Sequence, residues 1–277
     1  MTGRLARRSG TAAIVPLAAL LMPSWARAWG RLGHRVAAEM AEAWLTPPAA
    51  LAAVRDLLGP GATLADSSTW ADEQREIPRS GSWHYVNVPI AESRYDPGYC
   101  PAGGCIVSKI GDFERVLRDP KAGRTEKQQA LKWVVHLVAD LHQSLHVGDT
   151  GSRGGNSIQV RFFDRGSNLH RVWDSEIMER QATNEEAWLS DLDLMANSGR
   201  AAEWSKGTPE DWATETLQVA KNAYRLPGST AVMKSGTKLG DEYCRFALPL
   251  IQIQLARAAI RIARVLNGIF RLARKNL

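Results

Sequence analysis

The chain has 277 residues, 44% of them hydrophobic, and a formal net charge of +6, with an isoelectric point near 9.4. Arg4, Arg7, Arg8 and Arg27 fall near the N-terminus with no acidic residue among them, so the rest of the chain is close to neutral and its basicity alone does not point to nucleic acid. There is no internal repeat, low-complexity linker or heptad run, which excludes solenoid and coiled-coil architectures and leaves a length suited to one sizeable core.

The first segment reads as a leader. Three arginines precede a short apolar run from Ile14 to Met22, and Ala26, Arg27 and Ala28 form a small-x-small site. This is the pattern of an export signal cut after Ala28, giving a signal peptide over 1–28 and one domain over 29–277. The apolar run is much shorter than the roughly 20 residues of a membrane-spanning helix.

Beyond it, apolar residues at three- and four-residue spacing predict helices over 34–45, 48–58, 64–75, 106–117, 126–142, 169–180, 184–195, 209–223 and 243–266. Strands are expected over 83–88 and 158–163, so the fold is mainly α with a small β element. Segments 89–104 and 148–156 are glycine-rich loops. In the first, Cys100 and Cys105 flank Pro-Ala-Gly-Gly, a flexible connection that permits a disulfide in an exported protein; Cys244 is left as a buried free thiol. Most of the ten tryptophans belong to the core or to helix packing. The last helix is apolar enough to invite a membrane reading, but Arg257, Arg261 and Arg264 give it a basic face and favour a soluble helix.

Two stretches carry the chemistry. His136 stands four residues before Asp140, and His170 four residues before Asp174, with His146 between them. On a helix, residues i and i+4 share a face, so each stretch aims an imidazole and a carboxylate at one point. A single such pair reads more readily as an ordinary helical salt bridge; the repetition points to a metal held by nitrogen and oxygen donors.

In order along the chain stand Trp29-Gly-Arg-Leu-Gly-His34, Trp70-Ala-Asp72-Glu-Gln-Arg75, Trp83-His84-Tyr85, His136 to Asp140, Leu-His-Gln-Ser-Leu-His146-Val-Gly, Gly154-Gly-Asn156 and Asn168-Leu-His170 to Asp174. The series resembles the zinc-dependent single-strand-specific nuclease family, of the mung bean and secreted fungal type, from Trp29 to the final helix. The resemblance implies a phospholipase C/nuclease-like fold and three zinc ions. Asp72, His84, His136 and Asp140 would hold one, and His146, His170 and Asp174 its neighbour. The third would take His34, Asp140 and the Trp29 amine and carbonyl oxygen, which signal cleavage sets free. Two close metals activate water for in-line attack on phosphorus. Asp72 would orient that water, Arg75 would pair with phosphoryl oxygens, and Asn156 would stand beside the nucleotide.

The implied activity is hydrolysis of single-stranded DNA and RNA to 5′-phosphorylated products, with 3′-nucleotidase action on mononucleotides, by a secreted or periplasmic monomer with no membrane span after processing. Tyr85, Trp70 or a residue of the Cys100–Cys105 loop are candidates to stack on a base, and each also has a structural reading. Ser144 stands where relatives often have proline, a departure that removes no ligand. His142 lies well around the helix from His136, and its expected role is structural hydrogen bonding. The alternatives are a zinc phospholipase C, in which the first histidine lies farther from the N-terminal tryptophan and the last ligand is glutamate, and a non-catalytic periplasmic zinc-binding protein.

Overall fold

Helix α5 (Arg124–Leu141) runs through the middle of the molecule, and over its last three turns nearly every side chain from Ala130 to Leu141 is buried. A helix apolar on all sides must be enclosed by other elements. Here α1 (Arg31–Ala43), α4 (Ile106–Arg118), α10 (Pro209–Ala223) and α11 (Asp241–Phe270) pack around it. The computed structural model describes residues 29–271 apart from 75–76, 78–79 and 182–183, so the leader and Arg75 lie outside the described residues.

The remaining helices are α2 (Pro48–Leu58), α3 (Leu64–Ser67), α6 (Leu169–Arg171), α7 (Ile177–Gln181), α8 (Glu185–Met195) and α9 (Ala201–Trp204). Their ends follow local chemistry. Pro48 opens α2, and Gly59 closes it at φ +94°. Thr63 with Asp66, and Thr208 with Asp211, form capping boxes at α3 and α10.

Among the described residues, two small β elements complete the mainly α fold. Strand β1 (Val88–Pro89) pairs in parallel with β2 (Gly148–Asp149). Strand β3 (Gln159–Phe162) lies between β4 (Arg165–Asn168), antiparallel, and β5 (Thr237–Leu239), parallel. Cys100 and Cys105 form the expected disulfide, with Cα atoms 5.3 Å apart, and Cys244 is buried and free.

Several expectations shift. The segment 64–75 is not one helix: Ser67 and Ser68 turn their hydroxyls back to Leu64 and Ala65 carbonyls, and the chain restarts as a 3-10 turn over Trp70–Glu73. The expected strand over 83–88 is instead a 3-10 turn over Ser80–His84 followed by the two-residue β1. Between α6 and α7 the helix widens to a π turn over Val172–Glu176. In α11, Arg264 is exposed, but Arg261 is not part of a basic face: it is 1% exposed, inside the core.

Candidate metal centre

The last turns of α5 bring His136 and Asp140 to a point where four other elements converge. Asp140 Oδ2 lies 3.0 Å from His136 Nε2 and 3.0 Å from His84 Nδ1, and its Oδ1 lies 3.2 Å from His34 Nε2, which α1 supplies. Asp72, on the 3-10 turn after α3, closes this side, with Oδ1 3.6 Å from His136 Nε2 and 4.0 Å from His84 Nδ1. The His34 and His136 rings stack at 4.1 Å. On the other side His170 Nε2 is 3.1 Å from Asp174 Oδ2, His146 Nε2 is 4.0 Å from Asp174 Oδ1, and His146 Nδ1 is 3.9 Å from Asp140 Oδ1. Three groups result, His34 with His136 and Asp140, Asp72 with His84 and His136, and His146 with His170 and Asp174.

Three of the histidines have their Nδ1 spoken for. His136 Nδ1 donates to Ser68 O at 2.7 Å, His146 Nδ1 to His84 O at 2.8 Å, and His170 Nδ1 to Gly154 O at 2.6 Å. A carbonyl only accepts, so each bond fixes a proton on Nδ1, and the neutral ring then presents its Nε2 lone pair. The Gln143 amide donates to Asp174 Oδ1. Gly154 fits this role because it sits at φ +62°, and a Cβ there would lie 2.5 Å from Leu145 O and 3.3 Å from His170 Nδ1.

Burial is what makes the cluster suited to a cation. His34 Nδ1 and Nε2, His146 Nε2, His170 Nε2 and Asp140 Oδ1 are buried without a hydrogen-bond partner, a state that costs about 1–3 kcal/mol per atom when nothing else satisfies it. The titration tendencies of the metal-free side chains tell the same story. Burial disfavours charge on His136, but Asp140 and then Asp72 outweigh it and raise its pKa to about 9. Burial works to raise Asp140, yet His136 and His146 carry it well below the usual carboxylate range. Burial lowers His34, and it lowers His146 to about 3. Burial also pushes Asp174 up to about 6, against the pull of His170. Imidazole and carboxylate donors with inward lone pairs and no protein partner fit a divalent metal such as zinc.

Trp29 and Gly30 reach the same place. The Trp29 indole is buried and donates to Ala139 O at 2.9 Å, while Gly30 N donates to Asp174 O at 2.8 Å. Asn156 lies in the loop that holds His170, where its amide donates to Arg153 O at 2.8 Å. Arg153 takes φ +59°, and its exposed guanidinium has no partner among the described residues. Tyr85, next to His84, is 41% exposed and is the one large aromatic so exposed among the described residues. Trp70, by contrast, is packed edge-on to Trp133 at 6.0 Å.

His142 stays outside the three groups. It is buried, with Nδ1 donating to Val138 O at 2.7 Å and Nε2 accepting from Arg261 Nη1 at 2.8 Å. Burial and then the Arg261 charge hold it well below the usual histidine value. Gln143 and Arg261 are the polar residues that reasoning from spacing missed.

The chain is similar over nearly its whole described length to known proteins. Endonuclease 3 of Arabidopsis thaliana is 31% identical over 275 residues, 89% of this chain and 90% of that protein. Nuclease P1 of Penicillium citrinum is 28% identical over 268 residues, 87% of this chain and 97% of its own length. Nuclease S1 of Aspergillus oryzae is 27% identical over 279 residues, covering 91% and 96% of the two chains. With the S1/P1 nuclease pattern matching residues 29–271, the segment that carries every group described above, the chain belongs to the S1/P1 nuclease family.

Proposed function

We propose that this nuclease is an exported, zinc-dependent phosphodiesterase that hydrolyses single-stranded DNA and RNA to 5′-phosphorylated products and acts as a 3′-nucleotidase on mononucleotides. The supporting observation is the set of buried imidazole nitrogens and the Asp140 oxygen that lack a protein partner inside the three groups. Asp72, His84, His136 and Asp140 would hold one zinc, His146, His170 and Asp174 a second, and His34, Asp140 and the Trp29 main chain a third. Bound zinc supplies Lewis acidity, which acidifies water toward neutral pKa and offsets charge at the phosphoryl group and the leaving 3′ oxygen.

The chain's own residues supply the rest. Asp72 is 18% exposed at its side chain, whereas Asp140 is fully enclosed, so it is the carboxylate that can orient incoming water and take its proton. Arg75 would pair with the phosphoryl oxygens through its planar fork. Tyr85 offers a base a stacking face beside the cluster, and Arg153 places a free cation at the rim. Asn156, which anchors the Arg153 carbonyl, would stand beside the nucleotide. A base that must reach Tyr85 has to leave its stack, which disfavours duplex.

The test is incubation of the purified chain, starting at Trp29, with single-stranded DNA, RNA, 3′-AMP and phosphatidylcholine, with and without chelator. Cleavage of the first three, abolished by chelator, is expected. Hydrolysis of phosphatidylcholine would favour the phospholipase alternative, and zinc uptake without any turnover the binding-protein alternative. Arg75→Ala should keep its zinc and lose turnover. One extra residue before Trp29 should weaken zinc at the His34 group, because an amide nitrogen is far less basic than the free amine.

A further inference from the structure

Helix α5 ends in an unusual way just past Asp140. The backbone N–H of His142 goes to Ala139 O at 3.0 Å and that of Gln143 to Asp140 O at 2.9 Å, a shortened turn. The carbonyl passed over, Val138 O, receives the His142 ring Nδ1–H instead. A side chain thus replaces the backbone bond at the turn that carries Asp140 and leads on to Gln143 and His146.

That substitution needs the His142 proton on Nδ1, and Arg261 enforces it. An arginine only donates, so Arg261 Nη1 at 2.8 Å makes Nε2 the acceptor. The guanidinium is held on its other sides: Nε donates to Trp204 O at 2.8 Å and Nη2 to Glu215 at 2.6 Å. The His142 carbonyl accepts from Gln254 at 3.0 Å, and Gln254 also donates to Thr216. The turn is therefore gripped by α9, α10 and α11 together. A leucine or methionine at 261 would fill this space without desolvating a charge, so the buried arginine needs a reason beyond packing.

We propose that Arg261 is a positioning residue for the metal centre, acting through His142 to set the last turn of α5 and, with it, Asp140 and the Gln143 amide that holds Asp174. The proposal rests on the zinc reading above. Arg261 does not touch substrate or metal; it fixes the register in which two ligand groups are presented.

The experiment uses the full chain with three variants, Arg261→Met, Arg261→Lys and Glu215→Gln. Zinc affinity is read by chelator competition, and the His142 tautomer by imidazole nitrogen NMR. Arg261→Met should lower zinc affinity about tenfold, the lower end for loss of a supporting partner, and disturb the His142 tautomer. Arg261→Lys, which retains a donor toward His142, should recover much of both. Glu215→Gln should leave zinc affinity unchanged. Should Arg261→Met fail to fold, His142→Asn tests the same link with the Arg261–Glu215 pair intact, and the same tenfold loss is expected. Wild-type zinc affinity and tautomer in Arg261→Met, or wild-type affinity in His142→Asn, would overturn the proposal. So would equal losses in Glu215→Gln and Arg261→Met without recovery by lysine, since that marks a merely structural role. A wild-type chain that takes up no zinc at all sinks the zinc reading instead.

Discussion

Two buried polar clusters sit on neighbouring turns of α5 and meet the cost of desolvation in opposite ways. Around His142, donor and acceptor are matched within the protein: Val138 O, Arg261, Gln254, Thr216 and Glu215 close the network. Around Asp140, only a few ångströms of chain away, the His34 nitrogens, His146 Nε2, His170 Nε2 and Asp140 Oδ1 are buried without a hydrogen-bond partner. The first cluster is complete as folded, and the second leaves donors that a cation would satisfy. Histidine beside charged groups is common to both, so residue type does not separate a ligand site from a support; the direction of the lone pairs does.

The sharpest way to break this comparison is Asp140→Asn. It removes the carboxylate shared by the His34, His84, His136 and His146 contacts. Cleavage of single-stranded DNA should fall by well over the roughly 100-fold that loss of a supporting partner costs, with zinc lost from more than one group by elemental analysis. Gln254→Ala in the matched cluster leaves the His142 carbonyl and the Thr216 hydroxyl unmet. It should cost stability by about 1–3 kcal/mol in denaturant titration while zinc content holds. If the two variants behave alike, the distinction fails.

The effect of pH is next in size. The folded-state pKa of His136 is raised from 6.5 to about 9, so its contribution to the stability of metal-free protein is full below 6.5 and lost as pH rises through about 9. Asp174 is raised from 3.8 to about 6, so its ionisation costs the metal-free fold stability as pH climbs through that window. The Asp174 effect is complete by about pH 6; above it the His136 effect weakens chelated protein, while zinc, which binds the deprotonated ring, gains. The difference in melting temperature between zinc-loaded and chelated protein should widen from pH 6 to pH 9. A constant gap would show that His136 does not hold the metal.

Tyr85→Ala sharpens the picture at the open edge. Loss of a stacking face worth about 1–3 kcal/mol per base should lower kcat/KM on single-stranded oligonucleotides about tenfold, with zinc content and melting temperature unchanged. An unaltered rate would remove Tyr85 from substrate binding. The smallest effect is expected from opening the Cys100–Cys105 link, with Cys100→Ser and Cys105→Ser together. So short a loop stabilises by about 2 kcal/mol, seen in denaturant titration, with cleavage rates retained.

The long helices were legible because burial imposes a period on sequence, and the approach of His136 to Asp140 and of His170 to Asp174 because each pair is spaced i, i+4; His34, Asp72 and His84 were named only through the family resemblance. Where side chains compete with the backbone, the pattern misled. Ser67 and Ser68 draw the chain out of the helix that 64–75 suggests. Strand β4, Arg-Gly-Ser-Asn, has no apolar alternation and forms by pairing with β3. The spacing of Arg257, Arg261 and Arg264 looks like a wet face, yet the middle arginine points into the core because Trp204, Glu215 and His142 wait there. Long-range partners of this kind leave no mark in local sequence.

Asp174 belongs to two attachments at once. Its carboxylate faces His146 and His170, while its carbonyl, within the π turn, receives Gly30 N. The space beside Gly30 is so tight that a Cβ there would lie 2.1 Å from Ser175 Oγ. With zinc at the His146 group as proposed, the docking of the Trp29–Gly30 segment and the filling of that group would be linked through Asp174: whatever change in affinity one brings to the other is returned by the same factor.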